Sequence, residues 1–407
     1  MLISTPPHAV RVSAGPATVL VTSDDPAVTD WITQYLGSWW TVRPTTPAAE
    51  TSGPVLRCQI HPDRFVAAQD SLSTRAHQVI EFARNPIHVT DDAVCAVDST
   101  EQVAYHTDAS RTRLTLTAHG SLALCLAAAR ITRELIRAQL EADGWAIMHA
   151  SATVRDNNAT LALGPKGAGK TTTALLLATQ GQQLLANDRV FLHPATLALL
   201  PWPAAAALGL GLLHAHGFLD GVRARLATGQ HLHPTVDPTV TAAILDGRTN
   251  PLRDPRGREL KTQLFPHQLT DWLGLHLARS ATATALIFPR IDPDGEPRLD
   301  IPSRILTTSD FFDPDHDDRY PDFLRLTRIT PEHRHQIWAR TRDALATVPH
   351  HSVVLTHDTA RSRQLLAAQA TVGRVGWRRH SAHPQHADPV EHPDVTRQTR
   401  ESCGTGQ

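Results

Sequence analysis

A chain of 407 residues is too long for one ordinary domain and long enough for two or three with substantial cores. Its 39 Lys and Arg stand against 40 Asp and Glu with the signs interspersed, which argues against nucleic-acid and anionic-membrane partners. The four cysteines, Cys58, Cys95, Cys125 and Cys403, form no C-x-x-C pair, which suggests no cysteine metal site and fits reduced thiols in a cytoplasmic protein.

No basic segment followed by an apolar core opens the chain, so no secretory signal is expected. The 24 histidines are scattered or loosely paired, as at His214/His216 and His350/His351, and lack acid or cysteine partners at ligand spacing. Residues 10–90 alternate short β-like runs with polar punctuation and predict a small α+β domain. Within it, 17–22 and 55–60 read as strands and 25–36 as a helix opened by an Asp-Pro cap. Trp31, Tyr35, Trp39 and Trp40 predict an aromatic core, with a binding platform as the alternative; the helical spacing of Trp31 and Tyr35 favours the core. Residues 93–97 and 112–117 read as further strands. Residues 121–141 predict a helix capped by Ser121, with Leu122, Leu126, Ile131, Leu135 and Leu140 apolar and Gly144 past its end.

Residues 146–154 read as a strand, Asp156-Asn157-Asn158 as a turn, and 159–163 as a strand that stops at Gly164. There follows Gly164-Pro165-Lys166-Gly167-Ala168-Gly169-Lys170-Thr171-Thr172, which reads G-x-x-x-x-G-K-T, the phosphate-binding P-loop pattern. Glycines let successive backbone N–H groups turn around a diphosphate, Lys170 adds a positive charge, and the Thr171 hydroxyl can hold Mg²⁺. The flanks agree, since the Ala/Leu-rich run 172–179 reads as a helix ended by Gly181, and its N-terminus faces the loop. A nucleotide site is expected there. Residues 183–192 read as a strand carrying Asp188, and one helix crossing back can set this strand beside the loop strand, with Asp188 near Thr171. A buried, salt-bridged Asp188 is the structural alternative.

Together, His149-Ala150-Ser151, Gly164 through Thr172, Gly181 and Leu185-Ala186-Asn187-Asp188-Arg189-Val190 resemble the catalytic core of the HPr kinase/phosphorylase family, which is related in fold to phosphoenolpyruvate carboxykinase. The resemblance is strong over residues 145–195 and extends to about residue 290, leaving the first 110 residues and the tail uncovered. It implies an α/β (α+β) fold with a P-loop core of that type, and a homo-oligomer. It also implies ATP on the loop, Mg²⁺ on Thr171 and Asp188, and catalytic roles for His149, Asp188 and Lys170. The family's strand carries two adjacent acids, and the first falls at Asn187, whose amide cannot accept a proton. Either His149 or Asp188 takes the base role, or little base is required, because phosphoryl transfer rests largely on positioning and charge neutralisation. Asn187 and Arg189 are candidate substrate contacts. Leu208-Gly209-Leu210-Gly211-Leu212 weakly resembles the family's substrate-side signature without its Glu and Arg, so the expected acceptor is something other than HPr.

The apolar run 195–213 is broken by Pro201, Pro203, Gly209 and Gly211, which favours short strands or a buried loop over a membrane span. Residues 247–261 gather five basic side chains, and 286–290 read as a strand ending at Arg290; Lys261 and Arg290 are candidate phosphate contacts, against a solvated basic loop. Residues 262–277 predict a helix able to cap the site, and the acidic run 313–318 a surface loop. Residues 331–346 and 359–369 read as helices, with 351–355 a strand between them.

The expected organisation is an N-terminal α+β domain over 1–115, a kinase domain over 116–300, a helical or mixed extension over 301–376 and a disordered tail over 377–407. The expected activity is ATP- and Mg²⁺-dependent transfer of a γ-phosphate to a serine of a protein or peptide, or to a metabolite hydroxyl. The alternative is a nucleotide-dependent ATPase or switch without an acceptor.

Overall fold

The computed structural model of the chain describes residues 8–47, 53–82, 85–300, 304–317 and 321–377, so all but the first residue of the expected disordered tail lies outside the described residues. The protein is mixed α/β. Its N-terminal part is a nine-stranded sheet built from β1 (His8–Ala14), β2 (Ala17–Ser23), β3 (Thr41–Pro44), β4 (Val55–Ile60), β5 (His77–Phe82), β6 (Asn85–Thr90), β7 (Cys95–Asp98), β8 (Val103–Thr107) and β9 (Arg113–Ala118), in the order β3-β1-β2-β4-β9-β8-β7-β6-β5. The neighbours β2, β4 and β9 run parallel. The helices joining these strands are α1 (Pro26–Leu36) and α2 (Pro62–Ser73), and α3 (Ser121–Ala142) follows the last strand. The Asp25 carboxylate accepts the Ala27 N–H and Pro26 opens the first turn, so α1 starts at the expected cap.

Helix α3 lies on β2, β4, β9 and α1, so the sheet and this helix form one layered unit. The boundary expected after residue 115 falls inside β9. Two details of α3 differ from the sequence reading. Its stripe facing the sheet runs through Leu124, Ala128, Ile131 and Leu135, while Leu122 is 52 % exposed, because small alanines complete a face that large residues alone did not mark. Gly120 holds the cap position, and Ser121, inside the helix, donates from Oγ to Asp25 Oδ2 at 2.7 Å.

The second sheet contains β10 (Ala146–Met148), β11 (Ala150–Arg155), β12 (Asn158–Leu163), β13 (Gln183–Ala186), β14 (Val190–Leu192) and β15 (Ala198–Pro201), with α4 (Lys170–Ala178) between β12 and β13. Small elements follow: β16 (Ala206–Leu208), α5 (Leu210–Ala215), α6 (Leu219–Ala227), α7 (Pro238–Leu245), β17 (Leu252–Arg253), β18 (Glu259–Leu260), β19 (Thr262–Leu264) and α8 (Pro266–Asp271). The chain returns to the sheet with β20 (Ala281–Ile291) and β21 (Arg298–Asp300). It then forms α9 (Pro314–Asp317), α10 (Pro331–Ala346), β22 (His350–Leu355) and α11 (Thr359–Trp377). The apolar run after residue 195 thus resolves into β15, β16 and the start of α5, and among the described residues no helix is long and apolar enough to cross a membrane.

β10 and β11 are one strand interrupted at His149, and β13 and β14 are one strand interrupted at Asn187–Asp188–Arg189. The two pair antiparallel on both sides of their breaks. From β11 the ladder passes through β12, β20, β15 and β14, and β13 brings it back to β11, so the pairings close on themselves. The turn from β11 to β12 uses Asp156 and Asn157 at φ of +52° and +63°, the left-handed pair a tight hairpin requires. Beyond residue 300, β22 lies parallel to β20 within the same sheet.

Both sheets share a core. Trp39 and Trp40 are 1 % and 2 % exposed, Tyr35 is buried, and Trp31 packs edge-on against Phe265. The aromatic cluster is therefore core, and it joins two parts of the chain: Trp40 Nε1 donates to Pro201 O at 2.9 Å and the Ala205 N–H donates to Tyr35 Oη at 3.0 Å. The segment expected as a site-capping helix over 262–277 is instead β19 and the short α8, which packs on α1. Pro266 explains the break, since it opens α8 and disfavours helix in the residue before it.

Candidate functional site

Three stretches of chain meet where the interrupted strands break. The first is the glycine-rich loop between β12 and α4. Leu161 and Leu163 anchor the strand in the core, and the chain then turns through Gly164, Gly167 and Gly169 at φ of +154°, +85° and +101°. A Cβ on Gly169 would stand 2.7 Å from Ile291 Cδ1, which the end of that side chain can yield, so it is the left-handed backbone angle that favours glycine. Pro165, Lys166 and Gly167 are exposed, while Ala168, Gly169, Lys170, Thr171 and Thr172 are half-buried. Gly169 caps α4 without a side-chain bond, which leaves the first-turn N–H groups pointing out of the helix end. Behind them, Leu176 and Leu177 pack against Ile287, Val353 and Leu366, so the helix that carries the loop is held from both sides.

Lys170 curls over the loop and donates from Nζ to Gly164 O at 2.6 Å and Pro165 O at 3.2 Å. Burial holds its ammonium below the ordinary lysine range; the Asp188 and Asp310 carboxylates act against that shift and Arg304 adds to it. One lysine thus feels two acids and an arginine from two distant parts of the chain.

The second stretch is the strand break. Asn187 is buried, and its carbonyl oxygen accepts from Ser151 Oγ at 2.7 Å and Thr171 Oγ1 at 3.3 Å, which ties the break to the first turn of α4. β13 lies beside β11 and not beside β12 as the single-crossover reading expected, because β11 and β20 occupy both edges of β12. Asp188 is not embedded in a strand: it sits in the break, its side chain 61 % exposed, with Oδ2 3.6 Å from Arg189 Nε. The Arg189 guanidinium lies 4.0 Å from the Phe312 ring centre and 5.5 Å from that of Trp202, a stacked arrangement suited to a planar cation.

The third stretch, around residues 304–317, was not legible as part of a site. The His149 N–H donates to Asp310 O at 2.8 Å and the Phe312 N–H to Ile147 O at 2.9 Å, so this segment runs alongside β10. The Asp310 side chain is 2 % exposed and is gripped through both oxygens by Arg304, with the Thr307 N–H donating at 2.9 Å. The acidic run expected as a surface loop holds α9, whose Asp317 Oδ2 lies 3.0 Å from His149 Nε2 and accepts the Asp313 N–H at 2.9 Å. Burial raises the Asp317 carboxyl, but the Asp313 N–H, His149 and Arg189 outweigh it and hold the group below the usual carboxylate range.

Two expected contacts lie elsewhere. Pro289 and Ile291 face the loop glycines, so Arg290 between them points to the opposite face of β20, 3.8 Å from both Asp292 and Asp300. Lys261 sits 3.8 Å from Glu259 beside the small β17–β18 hairpin. The site therefore unites the loop, His149, Asn187, Asp188 and Arg189 with the unexpected Arg304, Asp310, Phe312 and Asp317.

Among the described residues no group of three or more His, Cys, Asp or Glu is arranged to hold a metal. Thr171 Oγ1 and the exposed Asp188 carboxylate offer oxygens of the type Mg²⁺ takes when phosphate and water complete its shell. Comparison of the chain with protein-family models finds no matching family, and comparison with curated proteins finds no match.

Proposed function

We propose that the protein is an ATP- and Mg²⁺-dependent kinase that moves a γ-phosphoryl group to a hydroxyl, on a protein or peptide serine or on a small metabolite. The observation that carries this reading is the left-handed glycine loop at the uncapped start of α4, with Thr171 tied to the strand break that presents Asp188. The donor set fits a bound triphosphate: convergent N–H groups and a lysine ammonium bind phosphate oxygens, and the helix dipole favours their charge. Lys170 would exchange its two carbonyl partners for phosphate oxygens. Mg²⁺, held by Thr171 and Asp188 with the phosphates, would neutralise charge that develops on the transferred group.

His149 stands across the strand pair from Asn187–Asp188–Arg189, in the facing break, so it is assigned to receive the acceptor's proton. Arg189, stacked on Phe312, supplies a planar cation for the phosphoryl oxygens. The motif resemblance to the HPr kinase/phosphorylase family supports the same chemistry, a core of that type, a cytoplasmic site of action where ATP is at hand, and a homo-oligomer. One observation favours a rival, a nucleotide-binding scaffold that carries out no transfer: the amide of Asn187 stands where that family carries an acid. Acceptor dependence separates the two. ADP formation measured with and without protein and small-molecule fractions of the producing cell should rise with one fraction under the kinase reading; a rate indifferent to every fraction contradicts it.

A further inference from the structure

We infer that Asp317 is the positioning carboxylate of this site, fixing the His149 imidazole so that Nδ1 accepts the proton, in place of the acid absent at Asn187. The inference rests on the phosphoryl-transfer reading for its chemistry, and on the 3.0 Å contact of Asp317 with His149 for the pairing.

His149 occupies the gap between β10 and β11, and its main chain is fixed by the bond from its N–H to Asp310 O. The imidazole stands edge-on to Phe312 at 5.6 Å. Asp317 orients the ring, because Oδ2 lies 3.0 Å from Nε2 and is itself held by the Asp313 N–H. A carboxylate accepts, so Nε2 carries the hydrogen and Nδ1 keeps the lone pair. The groups facing the pair are Arg189, which bears on Asp317, and Phe312, whose ring also carries Arg189 and Arg137.

The acceptor O–H gives its proton to Nδ1 while its oxygen bonds to the γ-phosphorus. The bond from that phosphorus to the β,γ-bridging oxygen breaks, and ADP leaves with the electron pair. The imidazolium is stabilised by Asp317 until it loses its proton to water. No oxidant or further reactant is needed.

The test uses the full chain labelled with ¹⁵N-histidine, with His149→Gln to assign the ring signals. Long-range ¹H–¹⁵N correlation should find His149 protonated at Nε2, and Asp317→Asn should lose that single tautomer while Asp317→Glu restores it. With γ-labelled ATP and a lysate of the producing cell as probe, Asp317→Asn should lower kcat roughly tenfold to a hundredfold, a part of the ~10²-fold or more that a positioned base contributes. KM for ATP and the melting temperature should stay unchanged, and Asp317→Glu should recover most of the rate. The inference is overturned if His149 is protonated at Nδ1, if the tautomer survives in Asp317→Asn, or if rate, KM and melting temperature fall together. Should the wild type transfer no label, the kinase reading falls, and the tautomer alone decides the pair.

Discussion

Lys170 joins the three stretches of the site, since its ammonium is held by loop carbonyls and feels Asp188, Asp310 and Arg304 at once. A hydrogen bond to a charged group contributes about 1.5–3 kcal/mol, so Lys170→Ala should weaken Mg²⁺-ATP binding roughly tenfold to a hundredfold in calorimetry. The fold should persist, because the side chain is half-buried and crosses no core contact. Unchanged affinity in a folded variant would remove Lys170 from the site. The loop was readable in the sequence because glycines, lysine and threonine act within nine consecutive residues. Asp317 was not, because its partner His149 lies 168 residues away and an acidic run carries no mark of what it touches. Arg290 failed for a different reason: a basic residue at a strand end was visible, but which face it points from depends on register, and Pro289 and Ile291 took the face toward the loop.

At the scale of elements, the strand–loop–helix order and several helices, among them α1 and α10, were legible because caps and periodicity are local signals. Pairing was not: that β11 would separate β12 from β13, and that β22 would join β20, depends on contacts between distant residues. The junction of β12 and α4 gives a test of geometry. Gly169→Ala places a side chain at φ +101° and 2.7 Å from Ile291 Cδ1, so it should cost about 1–3 kcal/mol in urea unfolding and weaken ATP binding. Adding Ile291→Ala relieves the contact but not the backbone angle, so only part of the loss should return; full recovery would mean the angle is not strained. A second test concerns His233, packed against Trp31, Tyr35 and Phe265 between α1 and α8. Burial, assisted by Arg133, lowers its pKa to about 4, and burial with Arg363 does the same for His216. The unfolded chain, with histidine near 6.5, binds more protons between these values, so stability is complete above about pH 6.5 and is lost as pH falls toward 4. His233→Asn, whose oxygen can accept the Thr235 N–H now bound by Nδ1, should flatten that slope in melting curves taken from pH 7 to 5; an unaltered slope would exclude His233.

The first sheet is joined to the segment after β15 by a core that runs from Val12 and Leu56 through Trp39 and Trp40 to Leu200, Trp202 and Phe265, while Leu161, Leu163, Leu286 and Phe288 of the second sheet pack in a core of their own. Composition and length indicated several cores' worth of chain, but the continuity of the first of these depends on which aromatic side chains face each other across the two sheets. It predicts that the parts do not behave independently. A chain ending at Asp300 would lose β22 and expose the edge of β20, the strand whose Pro289 and Ile291 back the glycine loop. Such a chain should show no cooperative thermal transition and no ATP binding; a native-like melt would mean that the later segment is an accessory. If these segments assemble to move phosphate onto a hydroxyl, the fate of a labelled γ-phosphate shows it. With γ-labelled ATP, Mg²⁺ and a lysate of the producing cell, label should be recovered as a phosphomonoester on an acceptor, and be lost in both Lys170→Ala and His149→Ala. Label that appears only as inorganic phosphate, at the same rate with or without lysate, would contradict it and leave an ATPase in its place.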